Sequence, residues 1–162
     1  MPGIKQQEFR LKIIDWKTVT EQCEDICKQI LSENESIGSI IGVSRGGLIP
    51  AVIISQILNV RDVYSIGVKS YDDFDNCNEA PVPYQSIDKK IIQKLNETKE
   101  IVLVVDDISD RGNTFRYISD SISIDNRRMC SIYIKSNTSF IPRYYSTTTS
   151  EWVVFPWEVR KS

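Results

Sequence analysis

The chain has 162 residues, with 20 Lys and Arg against 22 Asp and Glu, a formal net charge of −2, four cysteines and no histidine. That length suits one domain with a sizeable core, in need of neither disulfides nor a structural metal. The charge balance offers no electrostatic footprint for nucleic acid, no apolar stretch reaches membrane-spanning length, and the missing histidine removes histidine-based triads, most zinc enzymes and the commonest general base. Acid–base chemistry therefore falls to carboxylates, Lys, Tyr or Cys. The opening residues Met1 to Glu8 lack the apolar segment of a signal peptide, and the cysteines fit a compartment that keeps thiols reduced, so a cytoplasmic protein is expected.

In chain order, Phe9 to Ile14 reads as a short strand, and Asp15 to about Glu33 as a helix with Asp15 as its N-cap. Cys23 and Cys27 sit on one face of that helix with Val19, Ile26, Ile30 and Leu31, as small core residues do. Ser39 to Val43 is the next strand, running through Ser44-Arg45-Gly46-Gly47 into a helix from about Leu48 to Leu58, with Pro50 in its first turn. Val63 to Lys69 is a third strand. A polar, acidic stretch with two prolines then runs from Ser70 to about Ser86; a loop of that length inside a compact domain is either a functional lid or disordered, and its place directly after a core strand favours a lid. Strand Ile101 to Val105, a helix near Asn113 to Ile124 and strand Met129 to Ile134 complete an α/β alternation with a mainly parallel sheet. The tail carries Trp152 and Trp157, which either close the core or form an aromatic wall against a flat ligand.

The most informative run is Ile101 to Thr114. Five apolar residues, four of them β-branched, mark a strand buried on both faces, whose carboxyl end opens on a crevice. There the chain reads Asp106-Asp107-Ile108-Ser109-Asp110-Arg111-Gly112-Asn113-Thr114. Gly112 lets backbone approach an anion, Thr114 adds a hydroxyl, and Phe115, Ile118 and Ile122 form the buried stripe of the following helix. An acidic pair at a strand end also occurs as a helix cap or a solvated turn. A ligand that uses both halves is a sugar phosphate: carboxylates accept from ribose hydroxyls while backbone N–H groups hold the phosphate. Ser44 to Gly47 is a second anion-binding candidate, its glycines exposing N–H groups and Arg45 adding a positive fork. Two such sites at neighbouring strand ends suggest one ligand with two phosphates, the form of phosphoribosyl pyrophosphate.

At this point the sequence resembles the type I phosphoribosyltransferases, and within them the purine branch that includes the xanthine-guanine and hypoxanthine-guanine enzymes. Val104 to Thr114 resembles the family's phosphoribosyl-pyrophosphate motif, Val43 to Gly47 its pyrophosphate loop, and Lys69-Ser70-Tyr71 the start of its mobile catalytic lid. Tyr133-Ile134-Lys135 and Trp152 to Glu158 resemble its purine-recognition elements. The resemblance implies an α/β fold with a mainly parallel central sheet flanked by helices and a small hood from the termini, a lid over 70–85 and a hood segment over 144–162. It implies Mg²⁺-dependent transfer of the phosphoribosyl group to a 6-oxopurine, giving the nucleoside 5′-monophosphate and pyrophosphate. Asp106 and Asp107 would hold the ribose hydroxyls, directly or through Mg²⁺. Asp110, Arg111, Gly112, Asn113 and Thr114 would wrap the 5′-phosphate, with Asp110 also the base near purine N7. Arg45 and Gly46 would grip pyrophosphate, Lys135 would donate to purine O6, Trp152 would stack on the ring, and the Val153 backbone would read the C2 edge. Arg111 departs from the family, which usually has Thr there. The partners implied are small-molecule substrates and further copies of the chain in a homo-oligomer, with neither nucleic acid nor membrane. Two rivals keep the fold: a regulator that senses phosphoribosyl pyrophosphate without turning it over, and a pyrimidine or orotate transferase, which should lack the Lys135 and Trp152 pair.

Overall fold

A computed structural model describes residues 10–69 and 80–158. Phe9, Ser70, Tyr71 and Cys77 lie outside the described residues, and with them most of the segment expected to form a lid. The elements run β1 (Leu11–Ile13), α1 (Trp16–Ser32), β2 (Ile37–Ser44), α2 (Leu48–Leu58), β3 (Asp62–Lys69), β4 (Val82–Gln85), α3 (Lys89–Asn96), β5 (Ile101–Ser109), α4 (Asn113–Ser121), β6 (Arg127–Lys135), β7 (Tyr144–Thr149) and β8 (Trp152–Val154).

Six strands form one sheet in the order β4-β3-β2-β5-β6-β7, with every pairing parallel except that of the β4 edge. From β2 the chain winds outward to β3, and from β5 it winds the opposite way to β6 and β7. The switch point therefore lies between β2 and β5, and a crevice opens beyond their carboxyl ends. Alternate residues of the central strands feed two cores. Ile40, Leu103 and Val105 pack with Val19, Cys23, Ile26, Ile30, Ala51 and Ile54 from α1 and α2. Ile41, Val43, Val102 and Val104 pack on the other face with Leu95 of α3 and Phe115 and Ile118 of α4. Covering both faces with helices is what permits the unbroken apolar runs of β2 and β5.

The expected N-cap is present: the Asp15 carboxylate accepts from the Thr18 N–H at 2.8 Å. Cys23 and Cys27 are buried thiols, and burial pushes them up to about 12 and about 11, so they remain neutral core residues. Among the described residues no helix is long and apolar enough to cross a membrane.

Three features differ from the sequence reading. First, β5 does not end at Val105. Its ladder with β6 continues through Asp106↔Ser131 and Ile108↔Tyr133 to Ser109↔Ile134, so the acidic pair sits within a paired strand and not in a turn. Second, the segment 144–162 expected to form a hood is divided among the described residues: Tyr144–Thr149 is the edge strand β7 of the main sheet, and Trp152–Val154 pairs with β1 in a separate two-stranded parallel sheet. The hydroxyl-rich run of β7 carries no apolar strand pattern because it closes an edge. Third, α3 is a two-turn helix capped by Asp88, whose side chain accepts from the Lys90 N–H at 2.7 Å. The segment expected to form a lid is described from residue 80 onward, where it includes the exposed edge strand β4, in which Pro83 is tolerated.

Candidate functional site

Three loops meet beyond the carboxyl ends of β2, β5 and β6. Strand alternation sends Asp107 to the α1 and α2 side, with Leu103 and Val105, and Asp106 to the α4 side. The loop from β2 into α2 packs directly on this strand end. A Cβ on Gly46 would collide with the Asp107 carboxylate, and one on Gly47 would lie 2.9 Å from the Asp106 Cα and 2.7 Å from the Val43 carbonyl oxygen. Glycine is thus required at both positions by close approach, and the two anion-binding candidates of the sequence are neighbours in space. The Ser44–Arg45 peptide is cis, and Arg45 is exposed at the rim.

Asp107 is the most perturbed acid of the site. Burial pushes its carboxyl up to about 6, against hydrogen bonds that favour the anion, including that from the Ile108 N–H at 2.8 Å; the nearby Glu158 carboxylate pushes it up further. The Asp106 carboxylate accepts from the Asp107 N–H at 2.8 Å.

Beyond β5 the chain turns through Asp110 and Arg111 into α4. Gly112 is the N-cap, at φ +88° with no side-chain cap, so the first turn of the helix offers its N–H groups and positive dipole end to an anion. These residues line a cavity of about 230 Å³ whose wall runs from Asp106 to Phe115 and is completed by Lys135, Trp152, Val153, Phe155 and Glu158. Asp106, Asp107, Asp110, Arg111, Gly112, Asn113, Thr114, Lys135, Trp152 and Val153 are therefore brought together as the sequence suggests. Arg45 and Gly46 adjoin the cavity through the Gly46–Asp107 approach without lining it. Lys69 does not enter: its ammonium sits over the Tyr84 ring, 5.9 Å from the centroid. Ser70 and Tyr71 lie outside the described residues.

The two tryptophans divide the roles left open for them. Trp157 stacks on Phe155 at 4.6 Å and 7° between planes and meets Trp16 at 5.9 Å, so it belongs to the packing. Trp152 is 42% exposed and faces the cavity. Lys135, at the end of β6, donates to the Glu151 carbonyl and holds its ammonium 5.9 Å from the Trp152 ring centroid. An ammonium has three donors, so one fixes the side chain and others are available to a ligand carbonyl beside the indole.

Sequence reasoning missed two contributors. Glu158 closes the wall and accepts from the Phe155 N–H at 3.2 Å; its signal is an acid directly after an aromatic run. Tyr84 donates to the Ser44 hydroxyl at 2.9 Å, bracing the start of the glycine loop, and a tyrosine in a polar edge strand leaves no such signal.

The chain is similar to known proteins in sequence and in fold. Residues 12–160 match the family described as the phosphoribosyl transferase domain. The chain is 29% identical over 150 residues to the xanthine-guanine phosphoribosyltransferase of Idiomarina loihiensis, covering 90% of this chain and 86% of that one. It is 31% identical over 129 residues to the enzyme of the same name from Cereibacter sphaeroides, covering 78% and 72%. Among solved structures, a purine phosphoribosyltransferase from Pyrococcus horikoshii Ot3 superposes with a TM-score of 0.77 at 30% identity, covering 94% of this chain and 97% of that one.

A carboxyl with a folded pKa near 6, against an ordinary value of 3.8, holds its proton more tightly in the folded state. Stability from this group is then fully present below about pH 4 and is lost as the pH rises through about 6. Asp107→Asn should flatten that decline in the ligand-free protein, as read by chemical denaturation at pH 4.5 and pH 7.5. An undiminished difference between the two pH values would return Asp107 to an ordinary carboxylate.

Proposed function

Since this chain belongs to the phosphoribosyl transferase domain family, we propose that it transfers the phosphoribosyl group of phosphoribosyl pyrophosphate to a 6-oxopurine, releasing pyrophosphate and the purine nucleoside 5′-monophosphate. The observation that carries this reading is the shared cavity: an acidic strand end, the uncapped amino end of α4, and the Lys135 and Trp152 pair surround one space. The first suits ribose hydroxyls, the second a phosphate, and the third a planar base with a carbonyl edge.

In this reading the 5′-phosphate sits on the loop from Asp110 to Thr114, with Arg111 adding a cation in place of the usual Thr. Asp106 and Asp107 take the 2′- and 3′-hydroxyls, and Arg45 and Gly46 take the pyrophosphate. Mg²⁺ fits such a site. It is a hard cation that commonly uses one or two carboxylates together with substrate phosphates, and Asp106 and Asp107 supply those oxygens. Among the described residues no group of three or more His, Cys, Asp or Glu forms a cage of its own. When bound, Mg²⁺ supplies positive charge to the leaving diphosphate.

Breaking the bond from C1 to the diphosphate oxygen ahead of forming the new C1–N bond places positive charge on the ribose. Preorganised charge at the leaving group then matters most, with one well-placed donor worth ~3 kcal/mol. Asp110 accepts the purine proton near N7, a task that falls to a carboxylate in a chain without histidine. Lys135 donates to O6 and disfavours the amino group of adenine, since a buried donor facing a donor is left unpaired. The segment 70–85 is assigned the exclusion of water, the competing nucleophile. A base and a specificity lysine in the same cavity favour turnover over mere sensing of the sugar phosphate.

The reaction is proposed for the cytoplasm, on the strength of the reduced-thiol chemistry noted above. Self-association is supported by α2, whose sequence is apolar on all sides and carries no charged residue. Its residues Val52, Gln56 and Ile57 are exposed, while Ile53 packs on the core.

Pyrophosphate release should be seen with Mg²⁺, phosphoribosyl pyrophosphate and hypoxanthine, guanine or xanthine, and be weak with adenine. Asp110→Asn should lower turnover by about 100-fold or more with modest loss of sugar-phosphate affinity; unchanged turnover removes Asp110 as the base. Lys135→Ala should cost about tenfold to 100-fold in kcat/KM for 6-oxopurines and little for adenine, and equal losses would contradict its role. Ile57→Asp should convert an oligomer to monomers in light scattering, whereas an unaltered mass would move the interface elsewhere.

A further inference from the structure

The loop that follows the base-recognition strand β6 lies against the phosphate-binding turn, and nothing in the reading above uses it. Ser136 to Ile141 leaves Lys135 and is tied to β5 at once: the buried Ser109 hydroxyl donates to the Phe140 carbonyl at 2.7 Å and lies 3.1 Å from the Thr138 hydroxyl. The Thr138 N–H returns to the Lys135 carbonyl at 3.0 Å. The Phe140 ring packs on Phe115 of α4 at 5.5 Å. So anchored, the loop presses on the turn itself. A Cβ on Gly112 would lie 2.6 Å from both the Phe140 Cβ and its nitrogen, and 3.0 Å from the Ser139 hydroxyl. The left-handed conformation of Gly112 is thus held by contact as well as by its own backbone freedom.

Ser139 is where the strap grips. Its hydroxyl donates to the Arg111 carbonyl at 2.6 Å, its N–H donates to the same oxygen at 3.2 Å, and its hydroxyl and carbonyl both accept from the Arg116 guanidinium, at 2.9 and 3.1 Å. One hydroxyl therefore satisfies the carbonyl just before Gly112 while a cation from the first turns of α4 fixes the hydroxyl in place. Turning the Arg111 carbonyl toward Ser139 sets the peptide plane between Arg111 and Gly112, and with it the direction of the Gly112 N–H that opens the anion-binding turn. The geometry points to Ser139 as a positioning residue for the 5′-phosphate, with Arg116 as its support. It acts through the Arg111–Gly112 peptide without touching the ligand. This rests on the proposal that the turn binds the 5′-phosphate.

The test pairs a readout on the ligand-free protein with one on the substrate. In Ser139→Ala, amide hydrogen exchange should accelerate about fivefold at residues 110–114 and stay unchanged in β2 and β3, as expected for loss of one hydrogen bond. The KM for phosphoribosyl pyrophosphate should rise by about the same factor, with kcat and the purine KM within twofold of wild type. Ser139→Thr, which keeps the hydroxyl, should restore both readouts. Arg116→Ala should give a similar KM effect that does not add to that of Ser139→Ala. Unchanged exchange at 110–114, or faster exchange throughout the chain, overturns the assignment whatever the activity. Local acceleration in a protein that fails to bind phosphoribosyl pyrophosphate even as wild type would instead overturn the phosphate reading of the turn.

Discussion

The site depends on one constraint: β5 stays paired with β6 after its apolar residues end. A turn would let two adjacent carboxylates splay freely into water. A strand sends them to opposite faces at fixed positions, Asp106 toward α4 and Asp107 toward the glycine loop before α2. Asp107 is thereby lodged against backbone, where losing solvent works against its charge more than its hydrogen bonds favour it. Positive charge or hydroxyl donors brought to this carboxylate would offset the cost of its burial. That is a physical reason for a group that carries positive charge or hydrogen-bond donors to be favoured here over an apolar one.

The rest of the site follows from parallel register. With Ile41 level with Val104, and Val104 level with Met129, β2, β5 and β6 run side by side toward the same edge of the sheet. The glycine loop, the acidic pair and Lys135 are delivered to that edge by three strands that share a core, so their spacing has the stiffness of the sheet and not of the loops. Gly46 and Gly47 then bring the outer loop into close contact with the end of β5.

The elements buried on two faces were legible from residues alone. Apolar runs in β2 and β5, the Asp15 cap and the bounds of α2 are all local signals, and a glycine pair directly after a buried strand marks a place of close backbone approach. What escaped was whatever depends on edges and on distant partners. The ends of β5 are decided by hydrogen bonds to Ser131 and Tyr133, which no local pattern encodes. The strands β4 and β7 close the two sheet edges with polar and hydroxyl residues, where a period of two carries no hydrophobic contrast. Trp152 and Trp157 are five positions apart with the same side chain, and only the neighbouring Phe155 and Trp16 separate the one that packs from the one that faces the cavity. Tyr84, Ser139 and Glu158 owe their roles entirely to what the fold sets beside them.

The pairing of β1 with β8 joins residues 11–13 to residues 152–154. The wall that carries Trp152 and Val153 is therefore hydrogen-bonded to the earliest strand of the fold, and the chain between them closes almost into a ring. During synthesis the strands bearing both glycine turns leave the ribosome well before this seam can form. A nascent chain can assemble the sheet around both glycine turns early, but the wall that carries Trp152 and Val153 waits for residues 152–154 to emerge. Closure of the cavity wall is in this sense a later event than assembly of the sheet that it borders.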